Sequence, residues 1–454
     1  MEKKTVKDID VKGKVILVRC DFNVPMKDGK IQDDTRIKAA IPTIQYLMDK
    51  GAKVVLCSHL GKPKPKEMSQ EELKAKYSLS PVAGRLSELL GEEVKFADDT
   101  TGESAKQMVE DMRGNSDTKV GLLENTRFDP RETSNDETLS AELSDLADGY
   151  VNDAFGSAHR AHSSTEGVAK KMEEQGKETA LGFLMQKEVE ELGAVLESPE
   201  KPFIAILGGA KVSDKIGVIN NLIDHAGVNK ILIGGKMANT FLKARGYKLG
   251  ASSYEEDKLK VANEIMEHAT EKGIEIVLPI DFHVAKVAED AELTPELVEQ
   301  AEDTVANIDE GIPDGYQIFD VGEQTLDRYA ESLDGANKVI WNGPLGYTEV
   351  DKFTGGTETI ARYIAGRTKA KCVIGGGDSV AAVNKILEEA RQDGEDMHEF
   401  DKIHLSTGGG ASLEFLEGKT LPGIAVIQDK EVKTKNAENH QTPIKEDATK
   451  EVQK

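Results

Sequence analysis

The sequence predicts an α/β protein with mainly parallel sheets. Short β-branched runs alternate along the chain with longer segments of helical pattern, which is typical of parallel strands covered by helices. A length of 454 residues is sufficient for two domains of ordinary size or for one large domain. The composition, 38% hydrophobic and 31% charged, is that of a soluble globular protein.

The predicted strands form two series separated by a helix. The first series is 14–19, 53–58, 119–123 and 150–154, and a predicted helix over 35–51 separates its first two members. The helix between the series covers 184–200 and is closed by Ser198 and Pro199, so we expect it to bridge two halves of the chain. The second series is 203–207, 230–233, 274–279, 338–341, 371–374 and 402–406.

Two segments lack a clear pattern. Residues 285–310 are acidic and weakly patterned, and we expect a surface excursion there. Residues 428–454 are polar with almost no apolar residues, which predicts a disordered tail.

The charge and the termini limit the classes of partner. With 58 Lys and Arg against 82 Asp and Glu, the net charge is −24, whereas nucleic-acid binding needs a basic surface. Such acidity fits either a salt-rich cytoplasm or simple solubility, and the sequence leaves both open. The start MEKKTVKDID lacks the apolar core of a signal peptide, and no run approaches a membrane span. We therefore expect a cytoplasmic protein with no membrane partner.

The three cysteines are expected to be buried, reduced thiols. Cys20, Cys57 and Cys372 lie in apolar strands and lack the spacing of a metal or disulfide framework.

The strands of the second half end in glycine-rich turns. Ligands of open α/β sheets bind beyond the carboxyl ends of the strands, so these turns are informative. Glycines let backbone N–H groups approach an anionic ligand closely, and a following helix N-terminus favours negative charge. A nucleotide site is therefore predicted at LGGAK (207–211), IGGKM (233–237), WNGPLG (341–346), IGGGDS (374–379) and STGGGAS (406–412).

The strands of the first half end in polar and basic residues instead. In a chain this acidic, a local basic cluster is a candidate anion site, and the planar fork of arginine suits phosphate or carboxylate. We expect one rim, with Arg36 nearby in the next helix, to gather Asp21, Asn23, His59, Lys62, Arg127, His159, Arg160 and His162.

Together the two halves indicate group transfer between a nucleotide and a small anion. Phosphoryl transfer needs positioning and charge neutralisation more than a protein nucleophile. This agrees with the sequence, in which no serine–histidine or cysteine–histidine signature stands out.

Read in order, these motifs resemble the phosphoglycerate kinase family. The resemblance runs from about residue 5 to about 427 and includes VRCDFNVP, TRIKAAIPTI, SHLGKP, ENTRF, DAFGSAHRAHSS, LGGAKVSDKI, WNGPLG, GGGDS and STGGGAS. It implies two doubly wound domains separated by a cleft and joined by a hinge. Residues 1–184, completed by about 410–427, would bind the acid substrate, 185–200 would be the interdomain helix, and 201–409 would bind nucleotide.

The resemblance also implies the chemistry: reversible, magnesium-dependent phosphoryl transfer between 1,3-bisphosphoglycerate with ADP and 3-phosphoglycerate with ATP, in glycolysis. Transfer would be direct and in line after domain closure, in a monomer. The choice between adenine and guanine nucleotides stays open.

The family pattern can be carried onto this sequence residue by residue. The matched acid-substrate residues are Asp21, Phe22, Asn23, Arg36, His59, Leu60, Gly61, Lys62, Arg127 and Arg160. The matched nucleotide residues are Gly209, Ala210, Lys215, Gly234, Gly235, Asn342, Pro344, Glu349, Gly376, Gly377, Asp378 and Ser379. Within that set, Glu349 matches the ribose-binding acid and Asp378 the magnesium ligand. The catalytic set implied is Arg36, Lys211, Gly408 and Gly409.

This chain departs from the family pattern at two site positions. Lys62 stands where the family more often has arginine, which keeps the charge but loses the bidentate grip. Ile318 stands where glycine is usual, which bears on the shape of the base pocket.

Two other functions are compatible with an α/β protein of this length, but the sequence favours them less than phosphoryl transfer. A nicotinamide-dependent dehydrogenase is disfavoured because no G-x-G-x-x-G follows any predicted strand. A two-domain solute-binding protein would need export, and the expected signal peptide is missing.

Overall fold

Two six-stranded parallel sheets form the framework of the computed structural model, which describes residues 2–114 and 117–430. The first sheet has the order β5-β6-β4-β1-β7-β8, and the second has the order β11-β10-β9-β15-β16-β17. Two smaller antiparallel sheets pair β13-β12-β14 and β2-β3. Numbered along the chain, the strands are β1 (Val15–Arg19), β2 (Met26–Lys27), β3 (Lys30–Ile31), β4 (Lys53–Cys57), β5 (Val94–Phe96), β6 (Val120–Leu122), β7 (Gly149–Asn152), β8 (Glu178–Leu181), β9 (Phe203–Leu207), β10 (Lys230–Ile233), β11 (Glu275–Val277), β12 (Asp281–Lys286), β13 (Asp303–Asn307), β14 (Tyr316–Val321), β15 (Lys338–Asn342), β16 (Lys371–Gly375) and β17 (Ile403–Leu405).

Helices cover both faces of each sheet, and all five residues of the central strands β1, β9 and β15 are buried. The helices are α1 (Thr35–Asp49), α2 (Gln70–Tyr77), α3 (Ser80–Leu90), α4 (Glu103–Arg113), α5 (Glu137–Asp145), α6 (Val168–Glu174), α7 (Phe183–Glu197), α8 (Ile216–Asn221), α9 (Met237–Ala244), α10 (Leu259–Glu271), α11 (Pro295–Gln300), α12 (Glu323–Leu333), α13 (Gly355–Gly366), α14 (Gly377–Gln392), α15 (Gly410–Leu416) and α16 (Pro422–Ala425). None of these described helices is long and apolar enough to cross a membrane.

Each large sheet has one point where the strand order reverses. In the first sheet the chain builds outward from β1 through β4 and then returns to add β7 and β8 on the other side. In the second it builds from β9 through β10 and β11, then adds β15, β16 and β17 on the other side. A crevice opens beyond the strand ends at such a reversal. The topology thus directs attention to the ends of β1 and β7, and to those of β9 and β15.

The predicted α/β class is confirmed, and every predicted strand is present within two residues at each end. Strands β5 and β8 of the first large sheet were not predicted, nor were the strands of the two smaller sheets, β2, β3, β12, β13 and β14. The expected surface excursion over 285–310 agrees with the structure in that most of its residues are exposed, and it consists of the end of β12, helix α11 and strand β13. The first three residues of β13 are exposed, so the strand lacks the apolar alternation by which strands are recognised.

The predicted bridging helix exists as α7, which packs against both sheets. Its N-terminus is capped from the first sheet, where the buried Asp153 carboxylate accepts from the N–H groups of Leu184 at 3.0 Å and Met185 at 3.2 Å. At the other end, Lys338 of β15 donates to the carbonyl of Val195 at 2.9 Å.

The end of the described chain returns to the first sheet. Asn152 at the end of β7 donates its side-chain amide to the Gly423 carbonyl at 2.9 Å. The Lys4 N–H donates to the carbonyl of Gln428 at 2.8 Å. Of the predicted disordered tail, residues 428–430 are therefore paired with the N-terminal segment, which is a correction. Residues 431–454 lie outside the described residues.

The expected burial of the three cysteines is confirmed, and all three thiols are unpaired. Burial raises the pKa of Cys57 and of Cys372 to about 12, which makes these thiols poor nucleophiles at neutral pH.

The return of the chain end makes a prediction about stability. Ile427 is 1% exposed in the core, so Ile427→Ala should lower the free energy of unfolding by about 2–4 kcal/mol. Urea unfolding followed by far-UV circular dichroism measures the change. Val305→Ala is the matched control, because Val305 is 58% exposed and its loss should shift stability by less than about 0.5 kcal/mol. Equal shifts in the two variants would contradict this packing.

Candidate active site

The first crevice, beyond β1 and β7, is organised around Asp21 and Arg36. Arg36 lies in the first turn of α1 and donates through Nη1 to both carboxylate oxygens of Asp21 at 3.1 Å. The same Nη1 reaches the Asn23 carbonyl at 3.1 Å. The Arg36 side chain nevertheless stays 41% exposed. The ion pair therefore orients a guanidinium that still faces the crevice.

Asn23, Gly61 and Arg127 form one hydrogen-bonded unit beside it. The Gly61 N–H donates to Asn23 Oδ1 at 2.7 Å, and Arg127 Nη1 donates to the Gly61 carbonyl at 2.8 Å. Gly61 has φ of +65°, and a Cβ there would lie 2.6 Å from the Tyr77 ring. Glycine is thus required for the turn that connects the two polar side chains.

The remaining first-half residues divide into exposed cations and buried neighbours. Lys62 and Arg160 are exposed, and Arg160 Nε donates to His159 Nε2 at 3.2 Å. Burial, with help from Arg127 and Arg19, lowers the pKa of His162 to about 4, so this ring is neutral at physiological pH. The side chains of Phe22 and Leu60 are buried in the core, which leaves their main chain to face a ligand.

The second crevice, beyond β9 and β15, is built from interlocked main chain. The Gly209 N–H donates to the Pro344 carbonyl, and the Gly235 N–H donates to the Leu345 carbonyl, both at 3.0 Å. A Cβ on Gly235, whose φ is +66°, would lie 2.5 Å from the Gly209 nitrogen. Three of the predicted glycine turns thus pack against one another with no room for side chains.

A cavity of about 310 Å³ opens beside these turns. Six of the predicted nucleotide residues line it: Gly209, Ala210, Gly235, Pro344, Glu349 and Asp378. Ile318 and Phe319 of β14 form part of the wall. The predicted residues outside this lining are Lys215, Gly234, Asn342, Gly376, Gly377 and Ser379.

The two lysines of the turn after β9 have different environments. Lys211 is exposed, whereas Lys215 is 7% exposed and donates through Nζ to Asn342 Oδ1. Burial lowers the pKa of Lys215 to about 8. Within the described part of the chain, two buried atoms of the predicted nucleotide residues, Asn342 Nδ2 and Ser379 Oγ, have no hydrogen-bond partner. Such atoms are rare in folded proteins and indicate a place where a polar ligand would bind.

The turn after β17, a strand of the second sheet, reaches the first crevice. A Cβ on Gly408 would lie 2.4 Å from the Phe155 ring of the first crevice. Thr407 also lines a small cavity of about 30 Å³ with Asp21 and Arg36. The Thr407–Gly410 turn therefore belongs to the second sheet and contacts the first.

Two residues of interest were not singled out from the sequence. Lys236 lies inside the predicted motif IGGKM. Among the described residues it is the only basic one that lines the 310 Å³ cavity, together with the acids Asp320, Glu349 and Asp378. The motif shows the lysine, but only the fold shows the acids that share its cavity. Arg19 is the second, and it is buried at 1% exposure under the first crevice, which no sequence pattern reveals.

A magnesium site would rest on Asp378. Within residues 2–114 and 117–430, no three His, Cys, Asp or Glu side chains come together as a metal cluster. Magnesium usually binds through one or two carboxylates, several waters and substrate phosphates, so the exposed Asp378 carboxylate in the lining of this cavity is compatible with it. The two buried atoms that lack a hydrogen-bond partner, Ser379 Oγ and Asn342 Nδ2, belong to residues that do not line the 310 Å³ cavity.

Comparison with known proteins agrees with this geometry. The family model described as phosphoglycerate kinase matches residues 6–419. Curated phosphoglycerate kinases of Clostridium perfringens and Clostridium botulinum are each 52% identical over 431 residues, which is 94% of this chain and 99% of theirs.

Solved structures give the same relationship. Phosphoglycerate kinase from Coxiella burnetii aligns with a TM-score of 0.77 and 38% identity, over 93% of this chain and 98% of that one. The enzyme from Pyrococcus horikoshii aligns with a TM-score of 0.74 and 34% identity over the same shares. This chain belongs to the phosphoglycerate kinase family of phosphotransferases with a carboxyl group as acceptor.

Proposed function

We propose that this chain transfers a phosphoryl group reversibly between 1,3-bisphosphoglycerate with ADP and 3-phosphoglycerate with ATP, as a glycolytic, cytoplasmic monomer. One observation supports this above the others: the Thr407–Gly410 turn follows a strand of the sheet that carries the glycine-lined crevice, and it contacts the basic crevice of the other sheet. Residues 1–184 with about 410–427 would bind the acid, residues 201–409 the nucleotide, and 185–200 would join them.

The acid substrate binds in the first crevice. Its phosphate and carboxylate are complementary in charge to the arginines and the lysine there. Asp21 holds Arg36 directly, and Asn23 holds Arg127 through Gly61. The full contact set is Asp21, Phe22, Asn23, Arg36, His59, Leu60, Gly61, Lys62, Arg127 and Arg160.

The nucleotide binds in the second crevice. Its base occupies the apolar part of the 310 Å³ cavity, where the side chains of Ile318 and Phe319 form part of the wall. Glu349 accepts from the ribose hydroxyls, and Lys215 with Lys236 supplies positive charge to the phosphates. The contact set also includes Gly209, Ala210, Gly234, Gly235, Asn342, Pro344, Gly376, Gly377, Asp378 and Ser379.

The chemistry requires charge neutralisation more than proton transfer. The acceptor is a carboxylate, already ionised at neutral pH, so no general base is needed. Arg36 and Lys211 offset the charge on the transferring group from opposite sides, and the N–H groups of Gly408 and Gly409 donate to its oxygens. Magnesium, held by Asp378 with the nucleotide phosphates, adds further neutralisation when bound. Closure of the two halves excludes water and so prevents hydrolysis.

The proposed reaction is tested by a coupled assay with ATP, Mg²⁺ and 3-phosphoglycerate, repeated over a series of salt concentrations. Turnover is expected, and the salt series decides between a salt-rich and an ordinary working environment. No turnover at any salt concentration would overturn the proposal.

Arg36 should contribute mainly to the rate of transfer. Arg36→Ala removes one preorganised donor and should lower kcat by about 10²-fold or more, measured in the same assay. Lys38→Ala is the matched control on α1, because Lys38 is 58% exposed and pairs with Asp34 away from the crevice. Near-normal kcat in Arg36→Ala would remove Arg36 from the catalytic set.

Lys236 should recognise phosphate rather than base. Lys236→Met is expected to weaken ADP and AMP binding about 10-fold, because a charged hydrogen bond is lost, and to leave adenosine binding unchanged. Equilibrium titration with the three ligands measures this. Lys260→Met, which removes a lysine that is 87% exposed, is the control. An equal loss for adenosine and ADP would mean that Lys236 contacts the base.

The protonation of Lys215 should appear in the pH dependence of ADP binding. Below pH 8 the ammonium is charged and binds phosphate; above it the free protein loses this charge, so the dissociation constant for ADP should rise between pH 8 and 9.5. The phosphates of ADP are fully ionised over this range and do not contribute. Lys211→Met should keep the same pH dependence, and a dissociation constant that stays flat in the unmodified protein would contradict the assignment.

A further inference from the structure

We propose that Arg19 is a positioning residue that holds His59 as the neutral tautomer protonated on Nε2. His59 then offers the acid substrate a hydrogen-bond donor without a charge. The inference rests on the proposed function, which places His59 in the acid-substrate site.

The contact between the two side chains decides the tautomer. Arg19 Nη2 lies 3.1 Å from His59 Nδ1, and both side chains are buried, at 1% and 6% exposure. A guanidinium has only donors, so Nδ1 must accept this hydrogen bond. In a neutral imidazole with an accepting Nδ1, the proton is on Nε2. In an imidazolium, Nδ1 would also carry a proton, so two donors would face each other across this contact.

Arg19 is held in place by a buried chain of hydrogen bonds. Its Nε donates to Ser164 Oγ at 2.8 Å, and Ser164 Oγ in turn donates to Glu132 Oε1 at 2.5 Å. The Ser164 N–H donates to the other oxygen of Glu132 at 3.0 Å. Arg19 Nη1 also donates to the Cys20 carbonyl. Because Arg19 and Glu132 are both fully buried, the guanidinium cannot leave His59 without breaking this chain.

The other groups around His59 act in the same direction. The pKa of His59 lies well below its usual range. Burial is the largest cause, followed by Arg19, Arg127, Arg36 and His162. These groups come from β1, the turn after β6, α1 and the turn after β7. The nearby carboxylates are already engaged, since Asp21 pairs with Arg36 and Glu132 is linked to Arg19 through Ser164. His59 should therefore stay neutral from pH 5.5 to 8, and its contribution to substrate binding should not change with pH.

The protein with ¹⁵N-labelled histidine tests the tautomer directly. Long-range ¹H–¹⁵N correlation spectra distinguish a protonated from an unprotonated ring nitrogen, and His59→Gln identifies the signal among the nine histidines. We expect Nε2 protonated and Nδ1 unprotonated from pH 5.5 to 8. A ring protonated on Nδ1, or one that titrates in this range, would overturn the proposal.

Two variants separate positioning from simple structure. Arg19→Met with Glu132→Gln removes the cation and its buried carboxylate together, so no unpaired charge is left behind. In it, His59 Nδ1 loses its donor, so the tautomer protonated on Nδ1 should become populated. The pKa of His59 should rise but stay below its ordinary value, because burial, Arg127 and Arg36 remain. The KM for 3-phosphoglycerate should then rise at least fivefold at pH 8 and become pH-dependent, with kcat within twofold. Arg19→Lys keeps a donor and should restore the Nε2–H tautomer.

An unchanged His59 tautomer in the double variant would show that Arg19 does not set it. If that variant does not fold, the spectrum of the unmodified protein and that of Arg19→Lys still decide the question. If the unmodified protein has the expected tautomer but neither binds nor turns over 3-phosphoglycerate, the proposed function fails and the Arg19–His59 relationship stands.

Discussion

The relation between the two sheets depends on one buried carboxylate. Glu188 of α7 is 2% exposed and accepts from the Thr407 N–H at 2.7 Å, from Thr407 Oγ1 at 2.9 Å and from His404 Nε2 at 3.0 Å. Burial alone would raise the pKa of Glu188, but the bonds from His404 and Thr407 outweigh it and the pKa is lowered. Since α7 follows β8 and Thr407 follows β17, this ionised carboxylate links the helix leaving the first sheet to the turn of the second sheet that contacts the first crevice.

The two crevices are built by different physical means, which suits the ligands proposed for them. In the second crevice, backbone groups of Gly209, Gly235 and Pro344 interlock, so its shape tolerates no added side chain. In the first crevice, side chains hold one another through charge, as Asp21 holds Arg36 and as Glu132 and Ser164 hold Arg19. A planar base and a phosphate chain need close approach of the backbone, whereas a small acid with two anionic groups needs several cations that point toward it.

The strand ends could be predicted because carboxyl ends of parallel strands share one edge of a sheet, which makes the motif after each strand informative. Strand β13 could not be predicted, since its first three residues are exposed and the surrounding acidic residues hide any alternation of apolar and polar side chains. Arg19 was visible in RCDFNVP, but its burial and its contact with His59 arise from residues 40 positions apart in the chain. Lys236 was overlooked for a different reason: its importance comes from the acids that share its cavity, which only the fold brings together.

The same burial that suits Lys215 to phosphate acts against the stability of the free protein. Lowering its pKa from 10.5 to about 8 means that the folded state disfavours the charged form by about 3 kcal/mol. This cost is fully present below pH 8 and disappears as the pH rises from 8 to 10.5, where the unfolded chain also loses the proton. Asn342 offers Lys215 a neutral oxygen and no counter-charge. An anionic phosphate would supply one, so nucleotide binding relieves an unfavourable interaction as well as making new contacts. The free turn is thereby preorganised for an anion at the expense of stability, and binding of the proposed nucleotide would add to the stability of the folded state.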